Sequence, residues 1–119
     1  MSEIPVPGRP VRGSATGRPI MALLDLLGRR WTLRVIWELR EGPVRFRELQ
    51  RRCGGMSASV LNDRVAELMA AGAVAQDSAG YALTDEGRRL LEVYPVLDEW
   101  AQRWARRTEP GANSELAGP

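Results

Sequence analysis

Apolar residues recur at helical spacing over most of this chain. Ile20 to Leu27 and Trp31 to Arg40 each carry an apolar stripe at the three- and four-residue intervals of one helix face. Gly28 ends the first of these predicted helices. Gly42-Pro43 ends the second, since a residue before proline disfavours helical backbone. Val44-Arg45, which follows, is short and β-prone and is expected to pair with a later strand.

Two more predicted helices follow, joined by a short glycine turn. Phe46 to Arg52 has its apolar residues on one side, and Gly54-Gly55 breaks that helix because glycine readily adopts turn conformations. Ser57 is a favourable N-cap for the second helix. One face of this helix is apolar, and the other is small and polar, with Ser59, Asn62, Asp63, Ala66 and Ala70. The arrangement is typical of a major-groove reader, although an isolated pair is more often an ordinary helical hairpin.

The C-terminal half is expected to begin with a β-hairpin and to end in a long helix. Ala73 to Gln76 and Gly80 to Leu83 flank a run of turn formers, which predicts two short strands that form a wing. Thr84 is the expected cap of the long helix, and the acids that follow it suit the helix dipole. The apolar face of this helix extends from Leu90 to Trp104, and Pro95 should kink or interrupt it.

These elements define a mainly α fold with a small β wing, an α+β winged helix-turn-helix. Residues 1–18 are rich in proline and glycine and are expected to form a flexible basic arm. Residues 19–107 are the predicted DNA-binding and dimerisation domain, and residues 108–119 are a predicted flexible tail. The arm could touch a minor groove, although a tail without a role is the more common case.

Basic charge is concentrated in the half that contains the helix pair. Residues 9–64 carry twelve arginines against five acidic residues, whereas residues 65–119 carry five arginines against nine. Nucleic acid is the partner that such a basic half favours, although scattered arginines commonly only solvate helix faces. All 17 basic residues are arginine, which points to a GC-rich bacterial genome rather than to selection for DNA binding.

Several functional classes are disfavoured by what the sequence lacks. It contains no histidine, the usual general base and commonest metal ligand, so we expect no enzyme, metal site or cofactor. Cys53 is the single cysteine, so an internal disulfide is impossible. The sequence has no apolar run of about 18 residues and no signal peptide, so we expect a cytoplasmic protein without membrane attachment.

Several sequence blocks resemble the HxlR family of bacterial winged-helix regulators, which are relatives of the MarR type. The most specific are Trp31-Thr32, after a Leu-rich helix, and Arg45-Phe46-x-Glu48-Leu49. Ser57 to Leu68 has the form Ser-x-x-x-Leu-x-x-Arg-x-x-x-Leu, and Tyr81 to Gly87 carries a Tyr-x-Leu-Thr-x-x-Gly signature shared with MarR and PadR relatives. The resemblance covers about residues 20–104. It implies a sequence-specific DNA-binding transcription regulator, with repression as the expected outcome.

Candidate DNA contacts fall on the predicted reading helix and around it. The base-reading candidates are Ser57, Ser59, Asn62 and Asp63. Asn can bond adenine and Asp can accept from cytosine, whereas Ser57 is more simply explained as a helix cap. Phosphate contacts are expected from the arginines Arg29, Arg30, Arg45, Arg47, Arg51, Arg52 and Arg64. Arg64 lies beside the apolar stripe, which slightly favours a structural role for it.

The resemblance also implies a symmetric dimer that packs the first and last helices across a two-fold axis. The expected interface residues are Leu23, Leu24, Leu97, Trp100 and Trp104. For the tryptophans, helical spacing favours packing over an aromatic ligand pocket. Two reading helices would then lie about 34 Å apart on a pseudo-palindromic operator. Double-stranded DNA and a second copy are thus the expected partners, and an unknown small-molecule effector is left open.

Two features depart from the family pattern. The wing turn, Gln76, Asp77 and Ser78, is short and acidic. A winged-helix protein-interaction module without DNA readout is therefore the alternative function. Redox-sensing members carry a cysteine before or within the first helix, whereas here Cys53 lies in the turn of the helix pair. It is either a redox switch activated by nearby arginines or a small buried hydrophobe, and its position on an apolar side favours the latter.

Overall fold

Residues 6–7 and 18–108 are described by the computed structural model of this chain. They form six helices and a two-stranded sheet in the predicted order. The helices are α1 (Pro19–Leu27), α2 (Thr32–Glu38), α3 (Phe46–Arg52), α4 (Ala58–Ala70), α5 (Asp85–Leu91) and α6 (Tyr94–Thr108), and the strands are β1 (Val74–Asp77) and β2 (Gly80–Leu83). Most of the predicted arm (residues 1–5 and 8–17) and the tail after Thr108 lie outside the described residues.

The core is built from the apolar faces that the sequence predicts. Its fully buried side chains come from α2 and its C-terminal cap, from α3 and from α4, and they include Val35, Ile36, Leu39, Leu49, Leu61 and Leu68. Helix α2 is shorter than the predicted segment, because Trp31 has a left-handed backbone with φ of 78° and only precedes the first turn. Burying one large aliphatic side chain contributes about 1.5–3 kcal/mol. Burial of the apolar stripe of α4 therefore stabilises the packing of the inner face of this helix against the core.

The wing is the antiparallel hairpin of β1 and β2, in a register that places Asp77 opposite Gly80. The β-prone segment before α3 joins this hairpin as predicted, since Val44 and Tyr81 exchange two backbone hydrogen bonds of 2.8 Å. Gly80 allows the backbone of β2 to lie close to the backbone of Val44. Its φ is 124°, and a β-carbon there would lie 2.5 Å from the Val44 carbonyl oxygen. The wing is thereby attached to the start of the helix pair.

The Thr and the Gly of the Tyr-x-Leu-Thr-x-x-Gly signature, Thr84 and Gly87, both have structural roles at the start of α5. Thr84 Oγ1 caps α5 by accepting from the Gly87 N–H at 3.1 Å, and its hydroxyl donates to the Gly72 carbonyl at 2.6 Å. The Thr84 N–H also donates to the Ala73 carbonyl at 3.0 Å. Gly87 packs directly on that same carbonyl, because an added β-carbon would lie 2.0 Å from its oxygen. These contacts fasten α5 to the C-terminal end of α4.

The predicted long C-terminal helix is interrupted, as expected, at Glu92-Val93. Pro95 lies in the first turn of α6, where its missing N–H costs little. The Tyr94 ring stacks on Trp37 with centroids 4.3 Å apart, and the Arg40 guanidinium lies 4.0 Å from the centre of the Trp37 ring. Beyond Tyr94, every residue of α6 is exposed. No helix in the described part of the chain is both long and apolar enough to cross a membrane.

Replacing Gly87 by alanine is expected to lower the free energy of unfolding by about 3 kcal/mol, because the new methyl group would collide with the Ala73 carbonyl. Urea denaturation followed by circular dichroism measures this. Arg89→Ala, at an exposed position of the same helix, is the matched control and should change stability by less than about 0.5 kcal/mol. Equal stability of the two variants would contradict the close packing at Gly87.

Candidate nucleic-acid interface

Helices α3 and α4 form a helix-turn-helix whose turn is fixed by local contacts. Gly54-Gly55 has left-handed backbone with φ of 79° and 74°, which glycine adopts without strain. The Gln50 side-chain amide donates to the Met56 carbonyl at 2.8 Å across the turn. Ser57 Oγ accepts from the Val60 N–H at 3.1 Å, which confirms the predicted N-cap.

The outward face of α4 carries the small polar residues predicted to read bases. Ser59, Asn62 and Asp63 are exposed on the side opposite the buried stripe, so a hydroxyl, an amide and a carboxylate are presented together. Ser57 is also exposed, but its oxygen already serves as the cap. The geometry thus brings three of the four candidates to one solvent-facing surface, and their contact with bases stays a prediction.

Arginines flank this face on the side of α3. Arg45 and Arg47 are exposed, and the Arg51 side chain is 73% exposed. Arg51 and Arg52 both donate to the Glu48 carboxylate, and these hydrogen bonds lower the pKa of Glu48 to about 2. Glu48 therefore stays ionised at neutral pH and partly offsets the positive charge of the two arginines that it holds.

Two of the predicted phosphate contacts occupy a different environment. Arg29 and Arg64 both pair with Glu67, at 2.8 Å and 3.3 Å, and their side chains are only 13% and 14% exposed. Glu67 itself is 4% exposed. A buried charge needs such partners, so a structural role is the better explanation of this cluster. Arg30 is exposed, with its guanidinium 5.3 Å from the Trp31 ring centre.

Three residues that the sequence reasoning missed help to position the helix pair: Arg34, Glu38 and Glu67. Arg34 Nε donates to Glu38 at 2.7 Å, and its other end donates to the Arg52 carbonyl at 2.6 Å, where α3 ends. The four-residue spacing of Arg34 and Glu38 is a signal that could have found this pair. Glu67 lies three residues after Arg64, which is a local signal for that pair, whereas its other partner, Arg29, lies 38 residues away in the sequence.

The wing turn is exposed and acidic. Gln76, Asp77 and Ser78 all face solvent. Asp77 Oδ1 accepts from the Ala79 N–H at 2.7 Å, which rigidifies the turn. No basic residue occurs between Val74 and Leu83. The wing therefore has no cation with which to hold a phosphate.

The apolar faces of α1 and α6 are partly uncovered. Leu24 is 55% exposed on α1, while Leu97, Trp100 and Trp104 are 45%, 51% and 54% exposed on α6. The two tryptophan rings lie 5.9 Å apart on this helix. Leu23, the fifth predicted interface residue, is half-buried and faces a cavity between α1 and α5. Large exposed apolar side chains of this kind are typical of interfaces.

Cys53 is fully buried at the end of α3. Burial raises the pKa of its thiol, although Arg34 acts in the opposite direction. Arg51 and Arg52, which the less favoured redox alternative required to activate the thiol, do not offset this rise. Among the described residues, no three His, Cys, Asp or Glu side chains are grouped to hold a metal ion.

Because Cys53 is buried and its thiol pKa is raised, iodoacetamide at pH 8 should alkylate the folded protein at least about tenfold more slowly than the urea-unfolded chain. Mass spectrometry over time measures both rates, and the unfolded chain is the internal control. Equal rates would show an accessible, reactive thiol and would revive the redox interpretation.

Comparison with known proteins agrees with this geometry. The sequence profile of the HxlR-like helix-turn-helix family matches residues 26–109. An uncharacterised HTH-type transcriptional regulator of Bacillus subtilis, YvaP, is 31% identical over 88 residues, which cover 68% of this chain and 82% of that protein. The HTH-type regulator YodB of the same organism is 31% identical over 94 residues, covering 73% of this chain and 81% of YodB.

Solved structures show the same likeness. The quinone-bound form of Bacillus subtilis YodB superposes with a TM-score of 0.67 and 31% identity, over 71% of this chain and 96% of that one. A regulator of the MarR family from Enterococcus faecalis superposes with a TM-score of 0.64 and 29% identity, over 74% and 86%. The exposed polar face of α4, its flanking arginines and these matches lead to one conclusion: the chain belongs to the HxlR-like family of winged helix-turn-helix, DNA-binding transcriptional regulators.

Proposed function

We propose that this regulator represses transcription as a homodimer that binds a pseudo-palindromic operator. The observation that carries the proposal is the exposed polar face of α4 beside the exposed arginines Arg45 and Arg47. A helix-turn-helix places its second helix in the major groove, and phosphate contacts fix its register. A dimer seated across a promoter excludes polymerase, so repression follows from simple occupancy.

Base readout is assigned to the N-terminal half of α4. Asn62 can bond adenine in a bidentate manner, Asp63 can accept from cytosine, and Ser59 can serve several bases. Ser57 fits the role of a cap better than that of a reader, since its oxygen is engaged. Each good bidentate contact discriminates between bases by about 1–3 kcal/mol.

The affinity for DNA is assigned mainly to phosphate contacts made by the arginines at the start of α3 and along it. Arg45, Arg47 and Arg51 are exposed at the start of α3 and along it, and exposed Arg30 and half-buried Arg52 are the further candidates. Arg29 and Arg64 are omitted from this set because moving either to a phosphate would strip a partner from buried Glu67. The acidic wing at Asp77 is expected to repel phosphate, so it contributes little to binding.

Dimerisation is assigned to the exposed apolar residues of α1 and α6. In a monomer, Leu24 and three large side chains of α6 (Leu97, Trp100 and Trp104) would stay in water. Exposed apolar side chains of this size often mark an interface, and tryptophan is frequent among the residues that dominate binding energy. A two-fold axis along these helices would set the spacing of the two reading helices at about one DNA turn.

The proposed role requires neither catalysis nor a bound cofactor, and it places the protein with the chromosome in the cytoplasm. The alternative of a protein-interaction module rested on the acidic wing. Membership of a family of DNA-binding regulators favours DNA as the partner instead.

Two substitutions should separate affinity from specificity. Arg47→Ala is expected to weaken binding to all duplexes and to reduce the slope of log K against log salt by about 0.9, since one phosphate contact is lost. Asn62→Ala is expected to weaken binding to the operator by about 1–3 kcal/mol and to leave the salt slope unchanged. Fluorescence anisotropy on DNA from upstream of the gene, at several salt concentrations, measures both effects.

Arg89→Ala, which removes an exposed arginine of α5, is the charge-matched control and should bind like the unchanged protein. Failure of the unchanged protein to bind any duplex at low salt would contradict DNA recognition. Equal losses on every duplex for both variants would contradict the assignment of base readout to Asn62.

Substitutions in α6 of the full chain test the proposed dimer. Trp104→Glu should weaken self-association by at least roughly thirtyfold, because it places a charge in the proposed apolar interface. Gln102→Glu adds the same charge on the opposite side of the helix and should leave association unchanged. Sedimentation equilibrium measures both. A monomeric unchanged protein at micromolar concentration would contradict the proposed dimer, as would equal association of the two variants.

A further inference from the structure

Helix α6 is held to the rest of the domain mainly at its first residue. The chain turns between α5 and α6 at Glu92-Val93, and every residue of α6 after Tyr94 is exposed. Within the described part of the chain, a single ring contact joins α6 to another element: the Tyr94 ring stacks on Trp37 of α2, with centroids 4.3 Å apart and planes inclined by 16°. The angle between α6 and the domain therefore depends on the turn and on this stack.

Trp37 provides a fixed surface for the Tyr94 ring. It follows fully buried Ile36 on α2, so its backbone is anchored in the core. The Arg40 guanidinium lies 4.0 Å from the centre of the Trp37 ring and donates to the Trp37 carbonyl at 3.1 Å, while the Arg40 carbonyl accepts from Arg88 of α5 at 3.5 Å. Two nearly parallel rings in contact resist tilting, because a tilt separates the atoms along one edge. Trp37 thus holds the start of α6 at a defined angle to α2.

A small change of this angle has a large effect at the far end of α6. Trp104 lies ten residues after Tyr94, which is about 15 Å along the helix. A rotation of about 13° at Tyr94 would therefore displace Trp104 by about 3.4 Å, the rise of one base pair. Two copies that meet through the apolar residues of α6 would then present their α4 faces at a different separation.

We propose that Trp37 and Tyr94 are positioning residues that set the half-site spacing of the operator. Neither side chain is assigned to DNA or to the dimer interface. They fix the angle between α6, which carries the proposed interface, and the domain that carries α4. One inserted base pair moves two half-sites about 3.4 Å further apart and turns them by about 34° relative to each other, so a dimer that is stiff at this joint accepts one spacing. The inference rests on the proposed function, because it requires a dimer through α6 and base readout by α4.

Tyr94→Leu, at a half-buried position outside the core cluster, tests the inference in the full chain. Selection of bound duplexes from a random-sequence library gives the half-site and the spacing together. The unchanged protein should select one spacing, whereas Tyr94→Leu should select the same half-site at two or more spacings. Inserting one base pair into the selected operator should weaken binding by about tenfold or more for the unchanged protein, but by less than about threefold for Tyr94→Leu. Fluorescence anisotropy measures both losses.

Two further variants separate the stack from other roles of these residues. Tyr94→Phe keeps the ring and should select one spacing like the unchanged protein. Trp37→Leu removes the other ring and should broaden the spacing as Tyr94→Leu does. Circular dichroism and sedimentation equilibrium check that each variant folds and dimerises. A purely structural role would lower stability without changing which spacing is preferred.

A single spacing retained by both leucine variants would overturn this inference alone. If one leucine variant fails to fold, the other decides. Loss of folding or of the half-site sequence in both would also overturn the inference, because the rings would then support the domain itself. So would a broadened spacing in Tyr94→Phe, which keeps the stack. An unchanged protein that selects no sequence, or only a single half-site, would contradict the proposed function and this inference with it.

Discussion

A buried carboxylate on the reading helix fixes how that helix sits on the domain. Glu67 lies on the inner side of α4 and meets Arg29, which projects from the turn between α1 and α2. Removing one member of such a pair leaves an uncompensated buried charge, which typically costs about 3–5 kcal/mol. Arg64, on α4 itself, is the second partner of this carboxylate, so Arg29 is the partner that ties Glu67 to another part of the domain. The direction of the exposed face of α4 relative to α1 follows from this contact, together with the apolar stripe beneath.

The wing and α5 depend on a second constraint, the close approach of backbone to backbone. Gly80 lets the chain before α3 pair with the hairpin, and Gly87 lets α5 rest on the Ala73 carbonyl. Thr84 lies between these two glycines in the sequence. Its hydroxyl caps α5 and donates a hydrogen bond to the Gly72 carbonyl, just after α4. The helix pair, the wing and α5 are thus connected by short polar contacts around one apolar core. Movement at the end of α4 would consequently be felt in α5 as well as in the reading face.

Much of this fold could be predicted from the sequence because its signals are local. The apolar spacing located the helices, Ser57 and Thr84 marked two helix starts, and the glycines marked turns. The contact between Arg29 and Glu67 could not be predicted, since the two residues are 38 positions apart and the sequence around Arg29 resembles any basic surface. An apolar stripe likewise shows which side of α6 is apolar but not what covers it.

Helix α6 contributes no buried residue to the domain that carries it. It is attached at its start by the Tyr94 ring on Trp37, and the rest projects from the body. Residues along α6 can therefore change without disturbing the core or the exposed polar face of α4. With the proposed dimer interface on α6 and the proposed base readout on α4, related regulators within one cell could diverge in α6 first and so avoid forming mixed pairs while keeping their operators. In such a lineage, residues of one helix would determine the dimer partner, and residues of another helix would determine the operator.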